Sequence, residues 1–233
     1  MSSDYLKQLQ LTKQLEQRAK ALVKEHRDTE ARLADAKRSV GTSKEASIDV
    51  SAAEATLSEA SQAFSQRDNA ATLVLVDKCI GQLNDAKLSR LRSAIDDARN
   101  LVEMFGGNAE LEERFEQVLS MSGRLDKALT AADAVGESAR QFAAERFERR
   151  AARADSLRQY AVTIGLQSDI TSDDIEAARG RMPEDAEAAW SDLSKYIEDL
   201  MAPFCILFDE GRRNMDELIS NAALAGVSLD QLT

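Results

Sequence analysis

Proline and aromatic residues are scarce in this chain of 233 residues. Only two prolines occur, Pro183 and Pro203, and aromatic residues make up 5% of the sequence. No segment alternates β-branched or aromatic residues with polar ones, as a half-buried strand requires. Alanine, leucine, glutamate, lysine and arginine dominate, and these residues favour helices. The sequence therefore predicts an all-α protein and excludes a sheet fold.

Residues that bind metals or form disulfides are also few. Cys79 and Cys205 are the only cysteines, and they are far apart in the sequence. They suggest buried free thiols in a reducing compartment, although two cysteines could still pair. His26 is the only histidine and has no second histidine or cysteine pair at helical spacing. We therefore predict no metal, no cofactor and no catalytic residues.

The sequence lacks both a long apolar run and a basic balance. Its longest apolar stretch, residues 200–208, has nine residues, against the ~20 that cross a bilayer. The first ten residues do not resemble a signal peptide. The formal net charge is −11, which repels nucleic acid and acidic membrane surfaces. We therefore expect a cytoplasmic protein whose partners are unlikely to be nucleic acid or membrane.

Apolar spacing and capping residues predict where helices begin and end. Apolar and small residues from Leu15 to Val40 alternate steps of four and three, which indicates one stripe on one helix. Gly41 is predicted to end this helix as a left-handed cap. Ser51 and Glu54 are predicted to form a capping box at the start of a short helix.

Three further long helices are predicted, separated by short ones. The first runs from about residue 69 to 105, the second from about 124 to 164, and the third from Pro183 towards Gly226. Pro183 is expected in the first turn of the last helix, and Pro203 is expected to kink or break it. The remaining capping residues predicted at the corners are Asp68, Gly106, Gly107, Asn108, Gly165, Thr171 with Asp174, and Ser228 with Gln231.

The predicted ends of the long helices recur at regular intervals. Gly41, Gly106, Gly165 and Gly226 are separated by 65, 59 and 61 residues, which indicates a repeat of ~60 residues. Each long helix also has an irregularity near its middle: a phase break between Leu83 and Leu88, a charged interval at 145–153, and Pro203. The two halves of each long helix are therefore predicted to belong to different three-helix bundles.

This pattern predicts four units. They are residues 1–83, 84–145, 146–202 and a partial unit at 203–233. Short helices alternate with long, shared helices, so the units form an elongated array; a compact antiparallel bundle of the long helices is the alternative. The last residues read as the opening of a further short helix. We therefore expect the chain to be a piece of a longer repeat protein.

This connectivity resembles that of spectrin-type three-helix repeats. The corners are also similar to those of uncharacterised helical-repeat proteins of archaea. The shared pattern is a glycine, a short spacer, a Ser/Thr-x-x-acid cap and a following aspartate. The tryptophan position of spectrin repeats is not met, and their repeat is longer. Both resemblances imply a spacer or docking function.

Two segments are candidate partner-binding sites. Residues 140–158 contain six arginines against three acids, which favours either an acidic partner or a solvated helix with local ion pairs. Residues 200–208 are apolar all round the helix, which favours either burial or a partner groove. The residues singled out are Arg146, Arg149, Arg150, Arg153, Phe204, Leu207 and Phe208.

The function predicted from the sequence is a non-catalytic structural or scaffolding module that binds unidentified protein partners. Self-association through helical seams is a further possibility. The alternative is a peripheral scaffold that binds anionic surfaces or nucleic acid through the arginine-rich segment. On this interpretation His26 is an ordinary residue of a helix seam.

Overall fold

A computed structural model describes residues 2–166 and 169–224, and these residues form helices without any strand. The all-α prediction is confirmed. The helices are α1 (Ser2–Glu45), α2 (Ser51–Ser65), α3 (Asn69–Met104), α4 (Ala109–Ser120), a 3-10 helix (Met121–Arg124), α5 (Leu125–Thr163), α6 (Ser172–Arg181) and α7 (Ala186–Leu224). The corner predicted at Gly226, Ser228 and Gln231 lies outside the described residues.

The end of α1 differs from the prediction, because Gly41 lies inside the helix. The chain turns at Ser47, which has a φ of 58°. The Ile48 N–H donates to the Ser43 carbonyl (3.1 Å), and the Ser47 N–H donates to the Lys44 carbonyl (3.0 Å). These two bonds form a Schellman motif with serine at the left-handed position. A glycine alone therefore did not mark the corner.

The glycine stops predicted for α3 and α5 are confirmed. Gly106 has a φ of 98° and Gly165 a φ of 76°. The same motif closes each helix. The bond that corresponds to Ile48 N–H with the Ser43 carbonyl runs from the Gly107 N–H to the Val102 carbonyl in α3 and from the Leu166 N–H to the Ala161 carbonyl in α5, both 2.9 Å. Ser47, Gly106 and Gly165 therefore occupy the same position of this motif at the ends of α1, α3 and α5, and each is 59 residues from the next.

Most of the predicted helix starts are also confirmed. Asp68 accepts from the Ala71 N–H (2.9 Å), and Asn108 accepts from the Glu110 N–H (3.0 Å). Thr171 and Asp174 form a complete capping box. Their hydrogen bonds lower the pKa of Asp174.

The predicted capping box at Ser51 and the predicted position of Pro183 are wrong, although α2 begins at Ser51 as predicted. Ser51 donates its N–H and hydroxyl to Asp49, while Glu54 pairs with Lys44, so the residues form no capping box. The Ser51 hydrogen bonds lower the pKa of Asp49. Pro183 precedes α7 rather than lying in its first turn, because Asp185 is the residue that caps the helix, accepting from the Ala188 N–H at 3.0 Å.

The chain divides into two compact units, and α3 and α5 contribute to both. One unit contains the residues up to Asp97 together with Glu112–Gly136. The other contains Ala98–Leu111 together with the residues from Glu137 onwards. The three predicted domain boundaries, after residues 83, 145 and 202, remain predictions.

The first unit is built around the second half of α1, α2 and the first part of α3. One buried cluster joins Leu33 and Ala36 of α1 to Ala60 of α2 and Val76 of α3. A second buried cluster lies further along the same helices and consists of Val40, Ile48, Val50, Ala53, Cys79 and Leu83. Burying each such aliphatic side chain contributes about 1.5–3 kcal/mol. Among the described side chains of α1, residues 8–23 take no part in either cluster.

The second unit is built around the second part of α5, α6 and the first part of α7, with the end of α3. Its largest fully buried side chains are Phe105, Phe147, Ile175, Leu193 and Leu200. Trp190 packs on Phe105 with ring centroids 4.5 Å apart. Phe147 lies within the interval that the sequence pattern marks as charged. The apolar stripe of α5 therefore continues through that interval, on Ala143, Phe147, Ala151 and Ala154.

Candidate interaction surfaces

The four candidate arginines lie on α5 in different surroundings. Arg146 is exposed, with its guanidinium 5.3 Å from the centroid of the Phe142 ring. Arg149 is exposed and pairs with Glu145 one turn earlier (3.7 Å). Arg153 is exposed. These three residues follow an i, i+3, i+7 spacing and therefore share one face of the helix.

Arg150 belongs to the packed side of α5 rather than to this face. Its guanidinium lies 4.4 Å from the centroid of the Trp190 ring, and its side chain is half-buried. At this distance a cation–π contact contributes about 0.5–2 kcal/mol. Arg150 therefore stabilises the contact between α5 and α7, and the structure separates it from the other three candidates.

The apolar section of α7 is largely exposed, so its predicted burial is wrong. Leu200 is buried, but Phe208 is 74% exposed, Ile206 60% and Leu207 45%. Pro203 lies within a helix that continues unbroken to Leu224, so a break there is also excluded. Large exposed apolar side chains of this kind mark interaction sites on protein surfaces.

Phe204 marks the boundary between the packed and the exposed parts of α7. It is half-buried and stacks on Tyr160 of α5, with ring centroids 5.6 Å apart and an angle of 15° between the planes. Cys205, the next residue, is exposed. Cys79, in contrast, is buried, and burial raises the pKa of its thiol. The prediction that both thiols are free is confirmed, whereas the predicted burial of Cys205 is wrong.

The first half of α1 is a second exposed apolar surface, which sequence reasoning assigned to a packed stripe. Thr29 is the first buried residue among the described side chains of α1. Before it, the exposed apolar residues are Leu9, Leu11, Leu15, Leu22 and Val23. The stripe is continuous in sequence, but only its second half has a helix against it. Periodicity shows that a face is apolar and does not show which part of it is covered.

His26 lies in the seam of the first unit, as the sequence predicts. Its imidazole stacks on Phe64 of α2, with ring centroids 4.6 Å apart. Its Nδ1 donates to Oδ1 of Asn69 of α3 at 2.9 Å. Both contacts are structural, and neither places a reactive group beside the ring.

Arg179 of α6 is at the centre of an ion-pair network that the sequence does not reveal. It contacts Glu148 (3.2 Å) and Asp155 (3.4 Å) of α5, and also Glu176. Burial alone would lower the pKa of Arg179, but the Glu176 and Glu148 carboxylates raise it. Because Arg179 of α6 pairs with two carboxylates of α5, this network holds α6 on α5.

The second unit has a shallow cleft of about 410 Å³. Its lining residues are Leu101, Arg140, Ala143, Ala144, Met182, Pro183, Glu184 and Ala186. Arg140 is already bound to Glu137 by two hydrogen bonds of 3.0 and 2.7 Å. The lining therefore provides no nucleophile with an adjacent base, which a catalytic cleft requires.

Across residues 2–166 and 169–224, no group of three His, Cys, Asp or Glu side chains is placed to hold a metal ion. Over the same ranges, none of the helices has both the length and the apolar character needed to span a bilayer.

Comparison with known proteins gives no relative. No protein-family model, no curated protein and no solved structure matches the chain.

Proposed function

We propose that this chain is a non-catalytic helical-repeat module that binds other proteins through exposed helical faces. The observation that carries the proposal is the exposed apolar section of α7, where Phe208 is 74% exposed. Exposing a phenylalanine of this size is unfavourable in a monomer, and a partner that covers it gains about 1.5–3 kcal/mol.

The equivalent helix ends support a repeat of 59 residues. Ser47, Gly106 and Gly165 all occupy the left-handed position of the same motif at equal spacing. Each unit also contains the second part of one long helix, a short helix and the first part of the next long helix. A repeat built in this way buries its core between neighbouring helices and leaves faces for partners.

The proposal is tested by capture of partners on the immobilised full-length chain. We expect Phe208→Glu combined with Leu207→Glu to abolish capture, because the charges oppose burial of the α7 face. Val74→Glu is the matched control, since Val74 is also exposed (69%) but lies on α3. Equal capture by the wild type and the Phe208 variant would contradict the proposal.

Binding to anionic surfaces or nucleic acid through α5 is the second candidate. The shared face of Arg146, Arg149 and Arg153 favours it. If α5 has this role, anionic vesicles or duplex DNA bind the chain at low ionic strength, and Arg146→Gln with Arg153→Gln removes the binding. Arg150 is left unchanged because it packs on Trp190. Absence of binding at low ionic strength would exclude this candidate.

A further inference from the structure

Two largely exposed helix segments extend from the packed parts of the units, which His26 and Phe204 within them contact. One is α1 before its first buried residue, residues 8–28, which we call the α1 face. The other is α7 after its last buried residue, residues 201–221, which we call the α7 face. The most exposed large side chains of the α7 face are Phe208, Leu218, Ile206 and Met215. Those of the α1 face are Leu15, Leu11, Leu22 and Val23.

Both faces have the spacing of a coiled-coil seam. On the α1 face, Leu15 and Leu22 are seven residues apart, with Ala19 between them. On the α7 face, Phe208 and Met215 are seven residues apart. Apolar residues at this interval return to the same side of a helix and pack into the gaps of a facing helix. Each face therefore suits another helix better than it suits a small ligand.

The charges of the two faces are complementary. The α1 face has five basic and three acidic residues, a balance of +2, in a chain whose total is −11. The α7 face has two basic and four acidic residues, a balance of −2. Lys13 and Lys20 recur at seven residues on the first face, and Asp209 and Asp216 on the second. Opposite net charges on the two segments favour their encounter and oppose pairing of either segment with itself.

The chain already contains a template for such a contact within each unit. In the first unit, α1 and α3 run parallel, because His26 contacts Asn69 and Arg32 pairs with Asp77. In the second unit, α5 and α7 also run parallel, because Arg150 contacts Trp190 and, further along both helices, Tyr160 contacts Phe204. Each contact pairs the later part of one long helix with the earlier part of the next.

We propose that the α7 face of one copy packs in parallel on the α1 face of a second copy. The α7 face is the later part of one long helix and the α1 face is the earlier part of another, and among the described residues most side chains of both faces are exposed. Pairing them continues the internal packing from one chain to the next. This inference rests on the proposed function and names the partner as another copy of the chain.

A contact between two different faces is heterologous. After two copies pair, one copy keeps its α1 face and the other keeps its α7 face, so association continues until a ring closes or an open chain grows. Pairing of either face with a second copy of itself is opposed by the like net charges of the two segments.

The test is sedimentation velocity of the full-length chain over a range of concentrations. We expect the wild type to sediment faster as its concentration rises. Lys13→Glu with Lys20→Glu makes the α1 face acidic, and Asp209→Lys with Asp216→Lys makes the α7 face basic. Each double variant alone is expected to remain monomeric. Their equal mixture is expected to associate again, because an acidic α1 face then meets a basic α7 face.

Asp97→Lys with Asp133→Lys is the control, since these exposed acids lie outside both faces. It should associate as the wild type does, and circular dichroism should show the same helicity for all variants. A wild type that is monomeric at every concentration would overturn the inference, as would failure of the mixture to associate. If the wild type is monomeric but Phe208→Glu still abolishes capture of another protein, only the identity of the partner is wrong.

Discussion

Lys87 places its ammonium 2.5 Å from Oδ1 of Asp126, although it stands in the buried face of α3. Its side chain is 11% exposed, whereas that of Asp126 is 83% exposed. The apolar stripe on both sides of it consists of buried residues at Leu83 and Leu91. The apparent phase break in the sequence is therefore a lysine whose aliphatic stem fills the core position while its charge reaches the surface.

Substituting Lys87 separates the role of the stem from that of the charge. Lys87→Met retains the stem and is expected to leave the free energy of unfolding unchanged or raise it by up to about 1 kcal/mol. Lys87→Ala removes the stem and should lower that free energy by about 1 kcal/mol or more. Urea unfolding followed by far-ultraviolet circular dichroism measures both. Equal losses of free energy in the methionine and alanine variants would show that the ion pair matters more than packing of the stem.

Gly41 and Gly106 provide a matched pair for the corner assignment. A Cβ added at either position meets no atom within 4 Å, so the two differ in backbone conformation alone. Gly41→Ala should raise the free energy of unfolding by about 0.5–1 kcal/mol, because Gly41 lies within a helix. Gly106→Ala should lower it by roughly 1 kcal/mol or more, because its φ is 98°. Thermal or urea unfolding of both variants measures the difference, and destabilisation by Gly41→Ala would contradict the position of the α1 end.

Substituting Arg150 and Arg146 in turn tests which arginine packs within the second unit and which is available to a partner. Arg150→Ala should lower the stability of the second unit by about 0.5–2 kcal/mol through loss of the contact with Trp190. Arg146→Ala, on the exposed face, should change it by less than about 0.5 kcal/mol. Trp190 is the only tryptophan, so its fluorescence during urea unfolding reports on this unit. Equal effects of the two substitutions would contradict the assigned roles.

The capping box at α6 predicts a dependence on pH. Hydrogen bonds from the Thr171 hydroxyl and N–H lower the pKa of Asp174 below its value in the unfolded chain. The stabilisation is therefore present above the unfolded pKa and is lost as the pH falls through the lower, folded pKa. Asp174→Asn should be less stable than the wild type at neutral pH, and the difference should shrink in strong acid.

Thr171→Ala is the companion to Asp174→Asn. It removes the hydroxyl that accepts from the Asp174 N–H and should cost about 1 kcal/mol at neutral pH. Urea unfolding at several pH values follows both variants. A difference between wild type and Asp174→Asn that grows as the pH falls would have the wrong sign for this capping box.

The two cysteines are expected to differ in reactivity. Cys205 is exposed and should react with a thiol reagent on mixing, whereas Cys79 is buried and its thiol pKa is raised. The Cys79 thiol also donates to the Ala53 carbonyl at 3.4 Å. Cys79 should therefore react at least about a hundredfold more slowly, at the rate at which the first unit opens. Cys205→Ser identifies the two phases, and a fast phase that survives this substitution would contradict the burial of Cys79.

The sequence by itself determined the helical class and most of the corners. Helix formers, scarce proline and capping residues act within a few positions of the chain, so Asp68, Gly106, Gly165 and Thr171 could be assigned without tertiary information. The helix end predicted at Gly41 was wrong because a glycine permits a left-handed turn but does not require one. Ser47 accepted that conformation instead, where the apolar Ile48 and Val50 joined the core.

Only the tertiary structure decided which faces are covered. Phe147 is buried among charged neighbours, and Phe208 is exposed among apolar ones, because burial depends on where the neighbouring helices end and not on local composition. The same reason separates Arg150, which meets Trp190, from Arg146 and Arg153 on the open side of α5. The periodic stripe fixes the direction in which a side chain points along its helix, and packing between helices fixes what that side chain meets.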